Sequence, residues 1–387
     1  MAVGTIELAK ERSIKVGPGI AVSYGAWGKE VLNKDLQKLC LTNKEWQLIG
    51  ATRFTARHHP FEPTPFLPNR EVIGRTMIEA GVGLAKEALQ VNGWERADFL
   101  YAATSAPPDE DGKWAEKIAE QIGAQGVRIN LLACNGGGEA FLNALKNPQL
   151  TDKRVVIVAT DPLGYLADPK DPALMAIFGT GASVLAFRPN SIRLFSGKTV
   201  VEKDQTGVIR SPKTYQLPPA EERIKPPDWY EVKEGAEEVF AYSDRGAYMV
   251  LPEAAEGNPF MEMDGEATAF YFRDRVVGVQ EQVLTEYYAN NKKPIGAYIC
   301  HQPSGVLTRH ICRQLWKRLK SKNFPLVDRD NGVPWIMDGV GMGNASSATS
   351  LIAFAELASG LELGQNFLFA SYGAGGSISA WTGQITE

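Results

Sequence analysis

Residues 131–145 read LLACNGGGEAFLNAL, and this stretch decides the fold prediction. Its apolar start has the pattern of a buried strand that is ending, and the apolar spacing after the glycines is typical of a helix. Cys134 is therefore expected at a strand-to-helix turn, where the positive end of the helix dipole lowers the pKa of a thiol. The three glycines allow a backbone or a substrate to come close. Because most unpaired cysteines are small buried apolar residues, the turn alone leaves both a nucleophile and a structural cysteine open.

The order of elements around this turn occurs twice in the chain. The first half predicts helix, strand, helix, strand, glycine turn, helix, strand and strand, over 72–91, 98–106, 113–123, 127–133, Cys134, 139–146, 154–161 and 182–188. The second half predicts the same order over 276–290, 296–302, 306–322, 333–338, Asn344, 346–359, 366–371 and 377–385. Buried strands that alternate with helices indicate an α/β fold, and the repeated order indicates an internal duplication.

The chain is expected to divide into two halves and a connecting segment. We predict an N-terminal half over 1–190, a connecting excursion over 191–262 and a C-terminal half over 263–387. Within the excursion, residues 203–240 are rich in Pro, Lys and Glu and show no clear period, which is typical of a long surface segment. A solvated loop is the simpler interpretation of this segment, and a lid or a dimer cover is the alternative.

The composition excludes several classes of protein. The chain has 387 residues, a net charge of −4 and a calculated pI of about 5.8, which argues against non-specific binding of nucleic acid. It shows neither a signal-peptide pattern nor an apolar stretch of the roughly 20 residues that span a membrane. Four cysteines without CxxC spacing do not form a disulfide framework, and His58 and His59 lack partners at metal-ligand spacing. We therefore expect a cytoplasmic protein with free thiols and without a metal site.

Two further residues and one loop are candidates for the chemistry. His301 ends the apolar stretch IGAYICHQ, and α/β sheets place their sites at the carboxyl ends of strands, although a structural histidine is equally compatible with this position. Asn344 lies in GMGNASSAT, a tight turn into a helix that Ser346 or Ser347 could cap, and an Asn in such a turn is often there for its backbone. The loop YGAGGS, 372–377, is either a simple hairpin or a source of amides for an oxyanion.

Taken in their order along the chain, the sequence motifs resemble those of one family, the β-ketoacyl-ACP synthase III branch of the thiolase superfamily. The resemblance runs along nearly the whole chain and rests on EW and TRFTARHH (45–59), AATSAPPD (102–109), ACNGGG (133–138), IFGTGASVLAF (177–187), MDGEATAFYFRD (263–274), HQPS (301–304), GNASSAT (343–349) and YGAGGS (372–377). It implies a thiolase-like five-layer α-β-α-β-α fold and a homodimer.

The resemblance also implies a site and a reaction. Cys134, His301 and Asn344 correspond to the family's catalytic triad, and the backbone amides of Cys134 and Ala374 correspond to its oxyanion hole. The implied reaction is ping-pong: an acyl group passes from a thioester to Cys134 and then condenses with a malonyl-type thioester that loses CO2. CoA or phosphopantetheine thioesters are then the substrates, an acyl carrier protein is a possible partner, and no permanently bound cofactor is expected.

The residues expected to bind substrate depart from the family pattern. Trp46 and Arg53 correspond to contacts with the CoA adenine, but two more residues separate them here. Ser304 and Val306 replace an Asn and an Arg that hold pantetheine and the carrier protein, and Thr180 replaces an Asp. These departures favour a specialised relative, in secondary metabolism or lipid synthesis, over a housekeeping synthase.

A basic helix could compensate for the lost contacts. Arg309, Arg313, Lys317 and Lys320 are spaced four, four and three residues apart, which places them on one stripe of the helix predicted over 306–322. Such a stripe would attract an acidic carrier protein or CoA, and we expect Arg309 and Arg313 to bind substrate. The alternative is an ordinary solvated face.

Two other functions stay open at this point. The same Cys134 and His301 could transfer an acyl group to an oxygen or nitrogen acceptor without decarboxylation, and Asn344 would then not be needed. A non-catalytic subunit of a heterodimer is the third possibility, but such a subunit would be expected to lose the Cys or the His, and both are present.

Overall fold

The computed structural model describes residues 8–40, 42–59, 70–109, 111–202, 209–210, 230–232, 261–324, 336–374 and 376–386. The strands in these residues are β1 (Ala9–Gly17), β2 (Ile20–Ala26), β3 (Lys29–Leu32), β4 (Ala56–His59), β5 (Phe99–Ala103), β6 (Gly126–Asn130), β7 (Val155–Asp161), β8 (Gly181–Phe187), β9 (Ile192–Val201), β10 (Ile209–Arg210), β11 (Tyr230–Val232), β12 (Glu262–Met263), β13 (Ile295–Cys300), β14 (Asn366–Gly373) and β15 (Ser377–Ile385). The helices are α1 (Asn33–Leu36), α2 (Asn43–Thr52), α3 (Arg70–Val91), α4 (Lys113–Ile122), α5 (Gly136–Lys146), α6 (Leu163–Leu166), α7 (Pro172–Ile177), α8 (Gly265–Asn290), α9 (Gly305–Ser321), α10 (Met337–Val340) and α11 (Thr349–Ala358).

Two mixed sheets repeat one pattern of strands. The first has the order β1-β2-β8-β7-β5-β6 and the second the order β11-β9-β15-β14-β13. In the first, β5 is parallel to β7, and β7, β8 and β2 then follow as antiparallel neighbours. In the second, β13 is parallel to β14, and β14, β15 and β9 follow in the same antiparallel way. The α/β class and the internal duplication expected from the sequence are therefore confirmed.

The helices and sheets form five layers. Helices α5 and α11 lie in the middle, because each contacts strands of both sheets. Helix α3 packs on the outer face of the first sheet with α4 beside it, and α8 packs on the outer face of the second sheet with α9 beside it. The middle layer is held by aromatic packing: the ring of Phe141 on α5 meets four other rings edge-on at 4.9 to 5.7 Å, those of Phe187, Phe354, Phe369 and Trp381. This is the thiolase-like five-layer arrangement that the resemblance implied.

The strands that carry the site are buried on both faces. All seven residues of β7, VVIVATD, are buried, as are all seven of β8 and all eight of β14. Strands covered by helices on both faces show continuous apolar sequences instead of alternation, which explains why the sequence pattern found them.

One predicted strand is wrong, and two predictions concern residues that the structure describes only in small part. The strand expected over 333–338 is not found in its described portion, because Met337–Val340 forms the short helix α10. The segment 203–240 lies outside the described residues except for β10 and β11, so the loop and lid interpretations stay predictions. The division at 190 and 262 also stays a prediction.

None of the described helices is both long enough and apolar enough to cross a lipid bilayer.

Candidate active site

Cys134 lies at a strained turn directly before α5. The single 3-10 turn Ala133–Asn135 joins the end of β6 to this helix. Ala133 has a φ of +47°, a left-handed backbone conformation that residues with a Cβ rarely adopt and that recurs at functional turns. The Cys134 side chain is partly exposed and opens into a cavity of about 90 Å³. The predicted strand-to-helix position of the cysteine is thus what the structure shows.

Glycines allow the second half of the molecule to pack against this turn. A Cβ on Gly137 would overlap the carbonyl oxygen of Ser347, and one on Gly138 would overlap the side chain of Ser371. From the other side, a Cβ on Gly373 would lie 2.7 Å from the backbone nitrogen of Cys134. The close approach expected at the glycine run is therefore made by backbone and side-chain atoms of the protein itself. It brings Ala374, which follows Gly373, into the wall of the same cavity.

The cavity brings together the three residues expected to form a triad. Cys134, His301 and Asn344 all line it, together with Ala374. Much of the remaining wall is apolar and is contributed by Ile177, Phe178, Met263, Phe272, Leu307 and Tyr372. An apolar cavity with a few convergent polar groups is the usual form of a binding site for a small molecule.

The side chain of Asn344 has a fixed orientation. Its Oδ1 accepts hydrogen bonds from the backbone nitrogen of Ser346 at 2.9 Å and from Oγ1 of Thr349 at 3.2 Å. Because an amide oxygen that is occupied twice leaves the NH2 group to face the other way, the donors of Asn344 are free of these partners, and Asn344 lowers the pKa of the Cys134 thiol. The amide of Asn344 thus has a fixed orientation beside Cys134, which its position in a glycine turn did not decide.

His301 is a buried, neutral ring. It directly follows β13, its backbone nitrogen donates to the carbonyl of Ala370 at 2.9 Å, and its ring packs edge-on against Tyr372 with centroids 5.1 Å apart. Burial lowers the pKa of His301 to about 3, so the ring carries no charge at neutral pH. Its Nδ1 atom is buried and has no hydrogen-bond partner among the residues that the structure describes.

The expected lowering of the Cys134 pKa is wrong. Burial raises the pKa of this thiol to about 12, and the charge of Asp161 acts in the same direction. Hydrogen bonds from Ser346 and Asn344 lower the pKa but do not offset the burial. Much of the cavity wall around the thiol is apolar, so a thiolate there is poorly solvated although the side chain is partly exposed. Desolvation therefore outweighs the helix dipole on which the sequence prediction rested.

Sequence reasoning missed the functional contacts of two hydroxyl groups in the second half. Ser346 Oγ donates to Cys134 Sγ at 3.3 Å, and the hydroxyl of Ser347 donates to the buried carboxylate of Asp161. The expected capping by Ser346 or Ser347 is wrong, because Ala348 is the N-cap of α11 and makes no side-chain cap bond. The sequence does show two hydroxyl residues directly after Asn344, but only the tertiary structure shows which groups they contact.

The residues expected to bind substrate lie around the start of α9. Ser304 lines the cavity, and its Oγ accepts from the backbone nitrogen of Leu307 at 3.3 Å as the N-cap of the helix. The side chain of Arg53 occupies the space where a Cβ on Gly305 would lie, and Arg309 Nε donates to the carbonyl of Gly305 at 3.3 Å. Arg53, Ser304 and Arg309 are therefore close neighbours at one side of the cavity.

The other two residues expected to bind substrate are on the surface nearby. Trp46 is 36% exposed on α2, a helix that packs against α9. Arg313 is exposed one helical turn beyond Arg309. The structure places neither side chain in the wall of the cavity.

Two curated proteins have similar sequences, whereas no protein-family model matches the chain. The β-ketoacyl-ACP synthase III of Rubrobacter xylanophilus is 26% identical over 174 residues, which cover 44% of this chain and 51% of the relative. The β-ketoacyl-ACP synthase III 1 of Vibrio vulnificus is 22% identical over 158 residues, which cover 40% of this chain and 46% of the relative. The chain therefore spans about half the length of the curated relatives it matches.

Solved structures match over almost the full length. The 3-oxoacyl-ACP synthase III of Aquifex aeolicus has a TM-score of 0.64 at 17% identity and covers 95% of this chain and 98% of its own. The priming β-ketosynthase of the R1128 polyketide pathway has a TM-score of 0.66 at 19% identity and covers 100% and 99%. The type III polyketide synthase of Streptomyces coelicolor that makes 1,3,6,8-tetrahydroxynaphthalene has a TM-score of 0.64 at 14% identity and covers 95% and 98%. The chain thus has the same thiolase-like fold as these solved structures.

Proposed function

We propose that this chain is an acyl-thioester condensing enzyme of the ketosynthase III type, and hence an acyltransferase. The observation that carries the proposal is the fixed orientation of Asn344, whose amide donates toward Cys134 in a cavity that His301 also lines. Two hydrogen-bond donors beside a nucleophile suit a reaction in which a second substrate develops negative charge on its thioester oxygen. The sequence relatives and the shared fold support the same reaction class.

The first half-reaction loads the enzyme. The thiol of Cys134 loses its proton, its sulfur attacks the carbonyl carbon of an acyl thioester, and the carbonyl oxygen becomes an oxyanion. The C–S bond of the donor then breaks, and the departing thiolate takes up a proton as the acyl-cysteine forms. The backbone amides of Cys134 and Ala374 hold the oxyanion, and a donor of this kind is worth about 3 kcal/mol of activation free energy. Ser346 and Asn344 lower the pKa of the thiol, which partly offsets the effect of burial.

The second half-reaction forms the carbon–carbon bond. A malonyl-type thioester enters, its carboxylate leaves as CO2, and the electron pair of the broken bond forms an enolate. The neutral ring of His301 donates through Nε2 and Asn344 donates through its amide to the enolate oxygen. The enolate carbon then attacks the acyl-cysteine, the thiolate of Cys134 leaves, and a β-ketoacyl product forms.

Acyl transfer to an oxygen or nitrogen acceptor is not favoured. That reaction needs His301 to take a proton from the acceptor, but burial lowers the pKa of His301 to about 3 and makes the ring a weak base. It also leaves the oriented amide of Asn344 without a role.

The proposal extends to substrates and surroundings. CoA or phosphopantetheine thioesters would enter beside Arg53 and Ser304, with Trp46, Arg309 and Arg313 near the path, and no permanently bound cofactor is needed. We further propose that an acyl carrier protein delivers at least one thioester and that the enzyme is a cytoplasmic homodimer, as the resemblance implies.

Replacement of Asn344 separates condensation from simple acyl transfer. We expect Asn344→Ala to slow acylation of Cys134 by no more than about tenfold, because one group that lowers the thiol pKa is lost. Malonyl decarboxylation should fall further, by roughly two orders of magnitude, because one of two enolate donors is lost. Acylation is measured by intact mass and decarboxylation by CO2 release, with Asn366→Ala, a buried Asn on β14 that does not line the cavity, as the control for packing. Product formation that is unchanged in Asn344→Ala would favour acyl transfer without decarboxylation.

A further inference from the structure

A buried carboxylate that the proposed reaction does not use lies close enough to Cys134 for its charge to act on the thiol. Asp161 ends β7, and its side chain is completely buried. Its Oδ1 accepts from the backbone nitrogen of Ser105 at 2.8 Å and from the Ser105 hydroxyl. Its Oδ2 accepts from the backbone nitrogen of Ser347 at 2.9 Å and from the Ser347 hydroxyl. Burial raises the pKa of Asp161 to about 6, so the group is still ionised at neutral pH.

The two serines belong to different halves of the duplicated fold. Ser105 follows β5 in the first half, whereas Ser347 is part of the 3-10 turn Ser346–Ala348 that leads into α11 in the second half. Asp161 therefore connects the carboxyl ends of two strands in the first sheet to the turn that faces the nucleophile.

This turn is strained and carries the contacts to the sulfur. Ser346 has a φ of +48°, a conformation that a residue with a Cβ keeps only where its surroundings enforce it. Its backbone nitrogen donates to Asn344 Oδ1 at 2.9 Å, and its hydroxyl donates to Cys134 Sγ at 3.3 Å. The next residue, Ser347, is held on Asp161 through both its backbone nitrogen and its hydroxyl.

We propose that Asp161 is a positioning residue for the nucleophile: through Ser347 the carboxylate fixes the Ser346–Ala348 turn, and the turn holds the Ser346 hydroxyl as a hydrogen-bond donor to the sulfur of Cys134. The inference rests on the proposed role of Cys134 as the nucleophile. A negative charge beside a thiol opposes its ionisation, so the charge of Asp161 by itself destabilises the thiolate. The role that we propose for this carboxylate is therefore to hold the Ser346–Ala348 turn in place. The carboxylate accepts five hydrogen bonds, three from Thr104 and Ser105 in the first half and two from Ser347 in the second, and so fixes the two halves against each other.

Alkylation of Cys134 by iodoacetamide tests this positioning without any acyl substrate. The rate is followed at fixed pH, and peptide mass spectrometry separates Cys134 from the other thiols. We expect Ser346→Ala to slow alkylation about tenfold, the effect of one lost hydrogen bond to a charged group. Ser347→Ala should slow it in the same direction, and the double variant should be no slower than Ser346→Ala alone, because Ser347 acts through Ser346.

Two further variants give matched comparisons. Ser105→Ala removes a hydroxyl bond of the same kind from the other oxygen of the carboxylate, so it should lower the melting temperature as Ser347→Ala does and leave the alkylation rate unchanged. Asp161→Asn removes a charge that opposes thiolate formation, so a purely electrostatic role predicts faster alkylation. A positioning role predicts slower alkylation, and this comparison remains available if Ser347→Ala does not fold.

Three results would overturn the inference. The first is an unchanged alkylation rate in Ser347→Ala together with a lowered melting temperature. The second is a double variant whose alkylation is slowed by the product of the factors seen in Ser346→Ala and Ser347→Ala. The third is faster alkylation in Asp161→Asn. Failure of the proposed function is a separate result, because it shows as the absence of acyl transfer to Cys134 in the unchanged chain.

Discussion

At the scale of single residues, burial decides the charge of the site. Cys134 lies before a helix, yet burial raises its pKa to about 12, and burial lowers the pKa of His301 to about 3. Both side chains are therefore neutral at neutral pH, and the resting site holds a thiol beside an imidazole instead of an ion pair. Ser346 and Asn344 lower the pKa of the thiol and so favour its thiolate, but burial has the larger effect.

These shifts fix how the reactivity of Cys134 depends on pH. Because the thiol pKa lies far above neutral, the thiolate fraction and hence the rate of alkylation should rise about tenfold for each pH unit between about pH 6 and pH 9. The test is the alkylation rate of the Cys134 peptide across this range, with Cys40, a partly exposed thiol outside the cavity, as the internal comparison. A plateau that begins near pH 7 would show an activated thiolate and would contradict this description.

At the scale of elements, α9 combines a structural face with a basic one. Arg318 and Lys322, at the end of this helix, pair with Glu281 of α8 at 3.1 and 2.6 Å. The stripe predicted from the sequence consists of Arg309, Arg313, Lys317 and Lys320. All four are exposed, and none pairs with an acidic side chain in the part of the chain that the structure describes. The helix begins at the cavity, so the stripe leads away from the proposed entrance.

Reversal of charge on this stripe tests how substrate is delivered. We expect the double variant Arg309→Glu and Arg313→Glu to raise KM for a CoA or carrier-protein thioester, because a negative substrate loses its attraction, and to leave turnover of a short uncharged thioester unchanged. The same variant should flatten the dependence of kcat/KM on salt. Steady-state kinetics with both donors over a range of ionic strength provides the measurement.

A control variant separates local from overall charge. Lys86→Glu with Lys117→Glu makes the same change of net charge on α3 and α4, which cover the first sheet, and should leave both KM values near those of the unchanged chain. An equal response of charged and uncharged donors to the α9 reversal, or no response of either, would show that the stripe is only a solvated face.

At the scale of the whole molecule, the repeated order of elements predicts an α/β fold with an internal duplication, and the family resemblance adds the five-layer arrangement. Continuous apolar strands such as β7 and β14 are visible in the sequence because helices cover both of their faces. The duplication places Cys134 and Asn344 at corresponding turns, before α5 and before α11, and the middle layer brings the two turns together. The meeting of Cys134 and Asn344 in one cavity therefore follows from the duplication, whereas the presence of His301 beside them is what the family resemblance implies.

What the sequence could not provide depends on contacts between the two halves. Ser346 and Ser347 looked like helix caps, because their partners Cys134 and Asp161 are distant in the sequence and near only in the folded chain. The pKa of Cys134 was expected to fall because a helix dipole can be inferred from a sequence pattern, whereas the depth of burial cannot. The strand expected over 333–338 rested on a short apolar stretch, which is compatible with the helix found at Met337–Val340.

The most direct test of the whole account is the mass of the protein after incubation with a set of acyl-CoA thioesters. With a cognate donor we expect the unchanged chain to gain one acyl group, located on Cys134 by peptide mapping, and to lose it as a β-ketoacyl product when malonyl thioester is added. Cys134→Ala should gain nothing. An acyl group located on Cys40, Cys300 or Cys312, or one that stays in place through the malonyl addition, would contradict the account.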